Sequence, residues 1–138
     1  MTGHIHTIVA LDVGMVRTGV AIGNSLARLA RPLVTLPTDQ FAAAFAELAK
    51  QESPDIVVVG LPRNLSGQPT QQTAYVEDFV RQQLATYTVV FQDEAVTSKK
   101  AEAELAARKK PYTKADIDAL AATYILQDYF DTQPVEAR

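Results

Sequence analysis

The stretch that most constrains the fold of this chain is a continuous β-branched run at residues 56–59, with the sequence IVVV. A run without polar alternation is typical of a strand that other elements cover on both faces. Just before it, residues 39–51 space Phe41, Phe45 and Leu48 three and four residues apart, the periodicity of a helix with one apolar face. A sheet that lies between helices is therefore expected.

Four further strands are expected around this run. Residues 6–11, 18–22 and 33–36 are short apolar runs with short connections, which favours an antiparallel meander. Residues 87–91 form another such run, and residues 60–69 read as the loop that follows the β-branched strand. The prediction is an α/β fold whose central mixed five-stranded sheet has three antiparallel strands plus two parallel, flanked by helices.

Three more helices complete this pattern. The first is predicted at residues 70–84, and the second begins near Thr97 or Ser98, either of which would cap it. The last begins at Thr113, where Thr113 and Asp116 match the T-x-x-D pattern of a capping box.

Length and composition set the outer limits. The 138 residues, 47% of them hydrophobic, are enough for one compact domain, so a single domain is expected over residues 1–138. There is no apolar run long enough to span a bilayer and no signal-peptide pattern at the N-terminus, so we expect a cytoplasmic protein without membrane partners. The chain contains no cysteine, so any metal must be held by oxygen or histidine ligands.

The charges are distributed unevenly along the chain. The net charge of −3 argues against a general nucleic-acid binder, but residues 95–114 contain six basic residues and only two acidic ones. Residues 115–138 contain five acidic residues and one basic one. This pattern permits a polyanionic partner next to an acidic site, although a solvated helix face and loop is the commoner cause of such a cluster.

Three acids stand out by their predicted positions. Asp12 follows the first strand, Glu94 follows the last, and Asp118 lies one turn inside the final helix. A glycine turn, an exposed surface and a helix N-terminus would account for them individually. Asp118, however, is aligned with Ala122 and Ile125, and a carboxylate on an apolar stripe is costly unless it has a partner.

A divalent cation would be such a partner. Carboxylates from strand ends and one helix, without cysteine, suit oxygen-preferring ions such as Mg²⁺ or Mn²⁺. Two such ions about 3.5 to 4 Å apart support phosphodiester hydrolysis by activating water and stabilising the leaving oxygen. A metal-dependent nuclease is the chemistry that these residues favour.

Four segments strengthen this interpretation: ALDVGMVRTGVAIGN, VVVGLPRNLSGQPT, FQDEAVTS and KADIDALAATYILQDYF. In this order and spacing the chain resembles the YqgF/RuvX family, described as Holliday-junction resolvases and as nucleases that mature small-subunit ribosomal RNA precursors. The resemblance covers residues 5–131. It implies a ribonuclease-H-like fold and a two-metal-ion endonuclease whose catalytic and metal-binding residues are Asp12, Glu94 and Asp118. Two substrates stay open, Holliday-junction DNA and precursor 16S rRNA.

The chain departs from the family pattern at three positions. Met15 stands where the family commonly has Thr or Ser, and Asn24 stands where an Asp is usual. Ala95 replaces an Arg that would contact phosphate. The loss of this Arg bears on substrate affinity and preference more than on the metal chemistry, because the three carboxylates are retained.

Basic and polar residues near these motifs are the expected nucleic-acid contacts. The glycines after Asp12 are expected to allow close approach of a phosphate-bearing strand. Symmetric cleavage of a junction would call for two sites related by a two-fold axis, and hence a homodimer. The residues predicted to contact phosphates are Arg17, Arg63, Asn64, Lys99, Lys100, Arg108, Lys109 and Lys110.

Two alternatives to a nuclease differ in how well the sequence supports them. A non-catalytic nucleic-acid or ribosome-assembly binding module remains open, although the complete set of acids counts against it. An ATPase of the actin type is disfavoured because it needs two lobes, and the chain has no GxxxxGK[ST] loop. His4 and His6 have the alternating spacing of a ligand pair but precede the predicted site, so the sequence assigns them no role.

Overall fold

The computed structural model describes residues 4–94 and 97–133, with residues 97 and 98 described by their backbone only. Its strands are β1 (Thr7–Val13), β2 (Arg17–Asn24), β3 (Arg31–Pro37), β4 (Ile56–Pro62) and β5 (Val89–Glu94). Its helices are α1 (Phe41–Glu52), α2 (Gln71–Gln83), α3 (Thr97–Ala107) and α4 (Lys114–Thr132), and a 3-10 turn at Thr38–Gln40 precedes α1.

The strands form one sheet in the order β3-β2-β1-β4-β5. β3, β2 and β1 pair antiparallel, since short turns join them, while β4 pairs parallel with both β1 and β5. Each parallel step needs a crossover, and α1 and α2 supply these crossovers. The predicted mixed five-stranded sheet, three strands antiparallel plus two parallel, is confirmed.

The strands run further than the sequence predicts. β1 continues past Asp12 because its pairing with β2 extends to Val13. β4 includes residues 60–62, which were wrongly predicted as loop, because its pairing with β5 continues as far as Pro62 and Glu94. Asp12 and Glu94 therefore lie inside strands rather than after them, so regular sheet geometry fixes the direction of their side chains.

Two helices begin with a capping box. Thr113 Oγ1 accepts a hydrogen bond of 3.2 Å from the Asp116 amide, and the Asp116 carboxylate accepts one of 2.8 Å from the Thr113 amide, as predicted. Thr70 and Thr73 form the equivalent arrangement at the start of α2. The predicted cap of α3 lies on residues 97–98, outside the described side chains.

The sheet separates two apolar layers. On one face, residues such as Leu11 and Val59 pack with the large side chains of α1 and α2, including Phe45. On the other face, smaller residues such as Ala10 pack against α4, whose Leu126 is fully buried. α3 packs on α4 rather than on the sheet. Helices therefore cover both faces of the β-branched strand, as predicted.

Within residues 4–94 and 97–133, no helix is both long and apolar enough to cross a membrane.

Candidate active site

The register of the sheet puts the two strand acids on the face that α4 covers. Side chains alternate between faces along a strand. Asp12 lies two residues after Ala10 on β1. Glu94 pairs with Pro62, which lies four residues after Val58 on β4. Ala10 and Val58 both pack against α4. Asp12 and Glu94 therefore project from the sheet on the side of the helix that carries Asp118.

α4 comes very close to the sheet at Gly19 of β2, which pairs with Asp12. A Cβ atom on Gly19 would lie 1.9 Å from the carbonyl oxygen of Asp118. No side chain fits there unless the helix backbone moves, so glycine is needed for this contact. The missing side chain brings the Asp118 turn of α4 directly onto the strand beside Asp12.

The glycines after Asp12 were expected to admit a substrate strand, and the structure gives two of them another role. Gly19 admits the backbone of α4, and a Cβ atom on Gly23 would lie 2.8 Å from the Phe130 ring of the same helix. Gly14, in the turn between β1 and β2, is partly exposed, and its amide donates a hydrogen bond of 3.0 Å to the Arg17 carbonyl.

A further glycine, Gly60, lies on β4 between the strands of Asp12 and Glu94. A Cβ atom on Gly60 would lie 3.3 Å from the carboxyl carbon of Glu94 and 2.5 Å from Cδ1 of Ile125. The Glu94 carboxylate thus lies over Gly60, on the strand that separates it from Asp12. The sequence predicted this residue as part of a loop and gave no sign that a missing side chain makes room for the acid.

The electrostatics of Asp12 reflect this convergence. Burial, together with the smaller effects of the nearby charges of Glu94 and Asp118, raises the pKa of Asp12 from its ordinary value of 3.8 to about 7. The same three acids therefore repel one another on the α4 face. Carboxylate oxygens are the donors that a hard divalent cation prefers, so the chemistry of these three side chains suits Mg²⁺ or Mn²⁺.

Arg17 lies at the edge of this cluster. Its Nε donates a hydrogen bond of 2.6 Å to Asp118 Oδ2. The Arg17 side chain is 39% exposed and the Asp118 side chain 18%, so the guanidinium lies between the acids and solvent. The sequence predicted Arg17 as a phosphate contact but gave no sign of its pairing with Asp118. A depression of about 460 Å³ adjoins Arg17, lined in part by Met15, Val16 and Ala115.

Two predicted contacts in the loop after β4 have partners within the protein. Arg63 Nε donates a hydrogen bond of 3.0 Å to Asp93 Oδ1, one residue before Glu94. Asn64 Oδ1 accepts hydrogen bonds from the amides of Ser66 (3.0 Å) and Gln68 (2.9 Å), which fold the loop. Arg63 is thus paired with Asp93, whose side chain alternates with that of Glu94 along β5, and the Asn64 side-chain oxygen serves the loop itself.

The predicted basic residues on α3 divide into two sets. Lys99 and Lys100 are exposed in the first turn, close in the chain to Glu94, and Lys100 Nζ lies 4.5 Å from the centroid of the Tyr124 ring. Arg108 and its two lysine neighbours follow the far end of α3, where Arg108 pairs with Glu104. At a rise of 1.5 Å per residue, about 15 Å separates the two sets, and only the first set lies close in the chain to Glu94.

The departures from the family pattern have different surroundings. Met15 is 71% exposed at the tip of the turn between β1 and β2. Asn24 Oδ1 accepts hydrogen bonds from the amides of Leu26 (3.0 Å) and Ala27 (2.7 Å), which is a turn-forming role. Ala95, the position of the missing Arg, lies outside the described residues.

Sequence comparisons identify relatives over nearly the whole chain. The family model described as "RuvX: Holliday junction resolvase" matches residues 6–132. A protein of Bacteroides fragilis is 34% identical over 91% of this chain and 96% of its own length. A protein of Thiobacillus denitrificans is 38% identical over 92% of each chain. Both relatives carry the name "Putative pre-16S rRNA nuclease".

Solved structures with the same fold include T. thermophilus RuvC in complex with a Holliday junction substrate. That chain superposes with a TM-score of 0.55 at 18% identity, over 91% of this chain and 94% of its own. The Fowlpox virus resolvase in complex with Holliday junction DNA gives a TM-score of 0.51 at 15% identity, over 91% of this chain and 99% of its own. At such low identity these likenesses bear on the fold alone, and they confirm that it is ribonuclease-H-like.

Family match and fold agree, and together they support a nuclease, that is, a hydrolase acting on nucleic acid. The predicted resemblance to YqgF/RuvX is likewise confirmed, since the relatives are more than 30% identical over most of the chain. The chain belongs to the RuvX family.

Proposed function

We propose that this chain is a divalent-metal-dependent nuclease that hydrolyses phosphodiester bonds of structured nucleic acid, working as one domain over residues 1–138. The observation that carries the proposal is the convergence of Asp12, Glu94 and Asp118 on the α4 face. Their mutual repulsion is expressed in the pKa of Asp12, which burial and both neighbours raise to about 7. Repulsion between these carboxylates destabilises the folded protein. Such a cluster is therefore expected where a bound cation offsets the repulsion.

Asp12, Glu94 and Asp118 would hold Mg²⁺ or Mn²⁺. When bound, such ions supply an activated water and stabilise the leaving oxygen. The protein's own residues orient the substrate: Arg17 lies beside Asp118 and is placed to donate to a phosphate at the rim of the cluster. Lys99 and Lys100 present exposed positive charge in the first turn of α3, on the Glu94 side.

Precursor 16S rRNA is the leading substrate in this proposal. The support comes from the names of relatives that are 34% and 38% identical over nine-tenths of this chain. Such a substrate would place the protein in the cytoplasm. Holliday-junction DNA is the second candidate, supported by the description of the family model. A homodimer is proposed for that case only, because symmetric cleavage of a junction needs two sites.

The test is a side-by-side cleavage assay with labelled precursor rRNA and four-way-junction DNA, in Mg²⁺, in Mn²⁺ and in a chelator. The wild-type protein should cleave one substrate only when a metal is present. Asp12→Asn, Glu94→Gln and Asp118→Asn should each lower the rate by about 100-fold or more, since the loss of a ligand should cost more than the loss of an outer-shell partner.

Asp128→Asn is the matched control, because Asp128 is exposed on the same helix ten residues after Asp118. It should cleave at the wild-type rate. Folded Asp12→Asn protein with wild-type activity would refute the assignment of the acids. A wild-type protein that binds nucleic acid but cleaves in neither metal would instead favour the non-catalytic binding module.

A further inference from the structure

A second group of ligand-type side chains lies at the other end of β1. His4 and His6 precede the strand, whereas Asp12 lies near its end, and His6 and Asp12 are six positions apart in the chain. At about 3.3 Å per residue this corresponds to about 20 Å. The group is therefore remote from the acid cluster, and its third member, Asp55, comes from the segment between α1 and β4.

The three side chains converge on one point. His4 Nε2 lies 3.7 Å and His6 Nδ1 3.9 Å from the same oxygen, Asp55 Oδ2. The two imidazole rings lie edge to face, with their centroids 4.9 Å apart. One ligand atom from each residue lies within 4.8 Å of the others, and all three residues are exposed.

Backbone hydrogen bonds hold this arrangement. Asp55 Oδ2 accepts a hydrogen bond of 2.8 Å from the Thr7 amide, and the Asp55 amide donates one of 2.8 Å to the Thr7 carbonyl. On the other side, the His6 amide donates to Ser25 Oγ at 2.8 Å, and the His6 carbonyl accepts from the Ser25 amide at 2.9 Å. Asp55 and His6 are thus positioned by bonds that do not use the imidazole rings.

We propose that His4, His6 and Asp55 bind a borderline transition-metal ion, with Zn²⁺ as the reference ion. Ligand atoms about 2.0 to 2.2 Å from a tetrahedral Zn²⁺ lie about 3.4 Å from one another. The separations of 3.7 and 3.9 Å from Asp55 Oδ2 are within about 0.5 Å of this value, and the imidazole nitrogens, which lie within 4.8 Å of each other, would move closer on binding. Two imidazoles and one carboxylate leave a position open for water.

The chemistry of this site differs from that of the acid cluster. Imidazole nitrogen favours Zn²⁺, Ni²⁺ or Cu²⁺ over Mg²⁺, whereas three carboxylates favour Mg²⁺ or Mn²⁺. The ion would cross-link the start of β1 to the segment before β4, and no substrate contact is needed for this. Its expected role is to stabilise the folded chain, because a ligand that binds only the folded state raises its stability.

The test is a calorimetric titration of Zn²⁺ into the full chain with millimolar Mg²⁺ present to occupy the acid cluster. Wild-type protein should bind one Zn²⁺ and gain thermal stability. His4→Asn, His6→Asn and Asp55→Asn should each weaken binding by about 10-fold or more, since even outer-shell changes have effects of this size. Asp55→Asn keeps a carbonyl oxygen for the Thr7 amide, so it removes the charge without removing that hydrogen bond.

The matched control is Asp12→Asn, which alters the acid cluster and should bind Zn²⁺ as the wild-type protein does. These two histidines are the only ones in the chain, so no other imidazole can supply the signal. Absence of Zn²⁺ binding to the wild-type protein, or equal affinity of the wild-type and His6→Asn proteins, would overturn the proposal. Zn²⁺ binding that is lost in Asp12→Asn and kept in His6→Asn would also overturn it.

Discussion

The two faces of the sheet are built differently. The face covered by α1 and α2 is filled by large rings: Phe41 stacks on Phe45 with centroids 5.0 Å apart and meets Phe79 edge to face at 4.8 Å. The face covered by α4 contains small residues, among them Gly19 and Gly60, at which a Cβ atom would clash with α4. On the first face, bulky side chains hold α1 and α2 away from the sheet. On the second face, the backbone of α4 contacts a strand.

This difference teaches how one sheet serves stability and chemistry separately. Bulky side chains bury the most apolar area, which favours the folded state. Small side chains bury less, but they allow Asp118 to approach Asp12 and allow Glu94 to lie over Gly60. The acids thus occupy the face that contributes less apolar packing, and burial there raises the pKa of Asp12.

Truncating the bulky face should have the largest effect on stability. Phe45 is 1% exposed and contacts the rings of Phe41 and Tyr87, so Phe45→Ala should lower the free energy of unfolding by about 3 to 5 kcal/mol. Urea denaturation measures this loss. The cleavage rate per folded molecule should stay at the wild-type value, because Asp12, Glu94 and Asp118 all lie on the other face. A rate that falls with stability would contradict the proposed separation of the faces.

The acid face should show the next largest effect, through pH. Because the folded state raises the pKa of Asp12 from 3.8 to about 7, it binds a proton more tightly than the unfolded chain does. In the metal-free protein, the stabilisation from this bound proton is fully present below the pKa of the unfolded chain, 3.8. It is lost as the pH rises through the pKa of the folded state, about 7.

Asp12→Asn removes this titration and should stabilise the metal-free protein at about pH 8 by on the order of 2 to 4 kcal/mol, with little effect at about pH 4. Urea denaturation in a chelator at the two pH values measures the difference. Asp128→Asn serves as the control and should shift both values equally. An Asp12→Asn protein that is less stable than wild type at both pH values would refute this electrostatic account.

Filling the gap under α4 should cost less stability but should reach the chemistry. In Gly19→Ala the new methyl group would lie 1.9 Å from the Asp118 carbonyl, so the helix must move away from β2. We expect a loss of about 1 to 3 kcal/mol in unfolding free energy, as for other overpacked sites. The cleavage rate should also fall in fully folded protein, in contrast to Phe45→Ala. Wild-type cleavage by Gly19→Ala would show that the close contact is not needed.

Breaking the ion pair at the rim should have the smallest effect on stability. Arg17 is partly exposed, so Arg17→Gln should change the free energy of unfolding by no more than about 1 kcal/mol. If Arg17 orients a substrate phosphate, the variant should raise KM for cleavage more than it lowers kcat. Arg63→Gln, which breaks the more exposed pair with Asp93, is the matched comparison. Equal kinetics for the wild-type and Arg17→Gln proteins would exclude the phosphate contact.

Local signals in the sequence were enough for the order of strands and helices. The β-branched run, the helical spacing of Phe41, Phe45 and Leu48, and the capping box at Thr113 all depend on neighbours in the chain, and the structure agrees with each. Residues 60–62 were mispredicted because glycine and proline locally indicate a loop. Pairing with β5 extends the strand there, beyond the last pair with β1 at Val59.

Long-range contacts could not be predicted in the same way. Arg17 and Asp118 are 101 residues apart, and the hydrogen bond from Thr7 to Asp55 spans 48 residues. No local pattern specifies either pair. The role of Gly60 was missed for a similar reason, since it depends on a carboxylate from β5 and a side chain from α4 that only the folded sheet brings together.

The contact between α4 and Gly19 also has a consequence for biosynthesis. Asp12 lies in the first strand, whereas Asp118 lies in a helix that follows all five strands. A nascent chain on the ribosome therefore contains its first acid long before the last one has been synthesised. Incomplete copies lack the full set of proposed ligands and are expected to be inert toward the nucleic acid around them. Nuclease activity would thus begin only when α4 has packed onto the sheet, so only a chain that includes α4 would cleave nucleic acid.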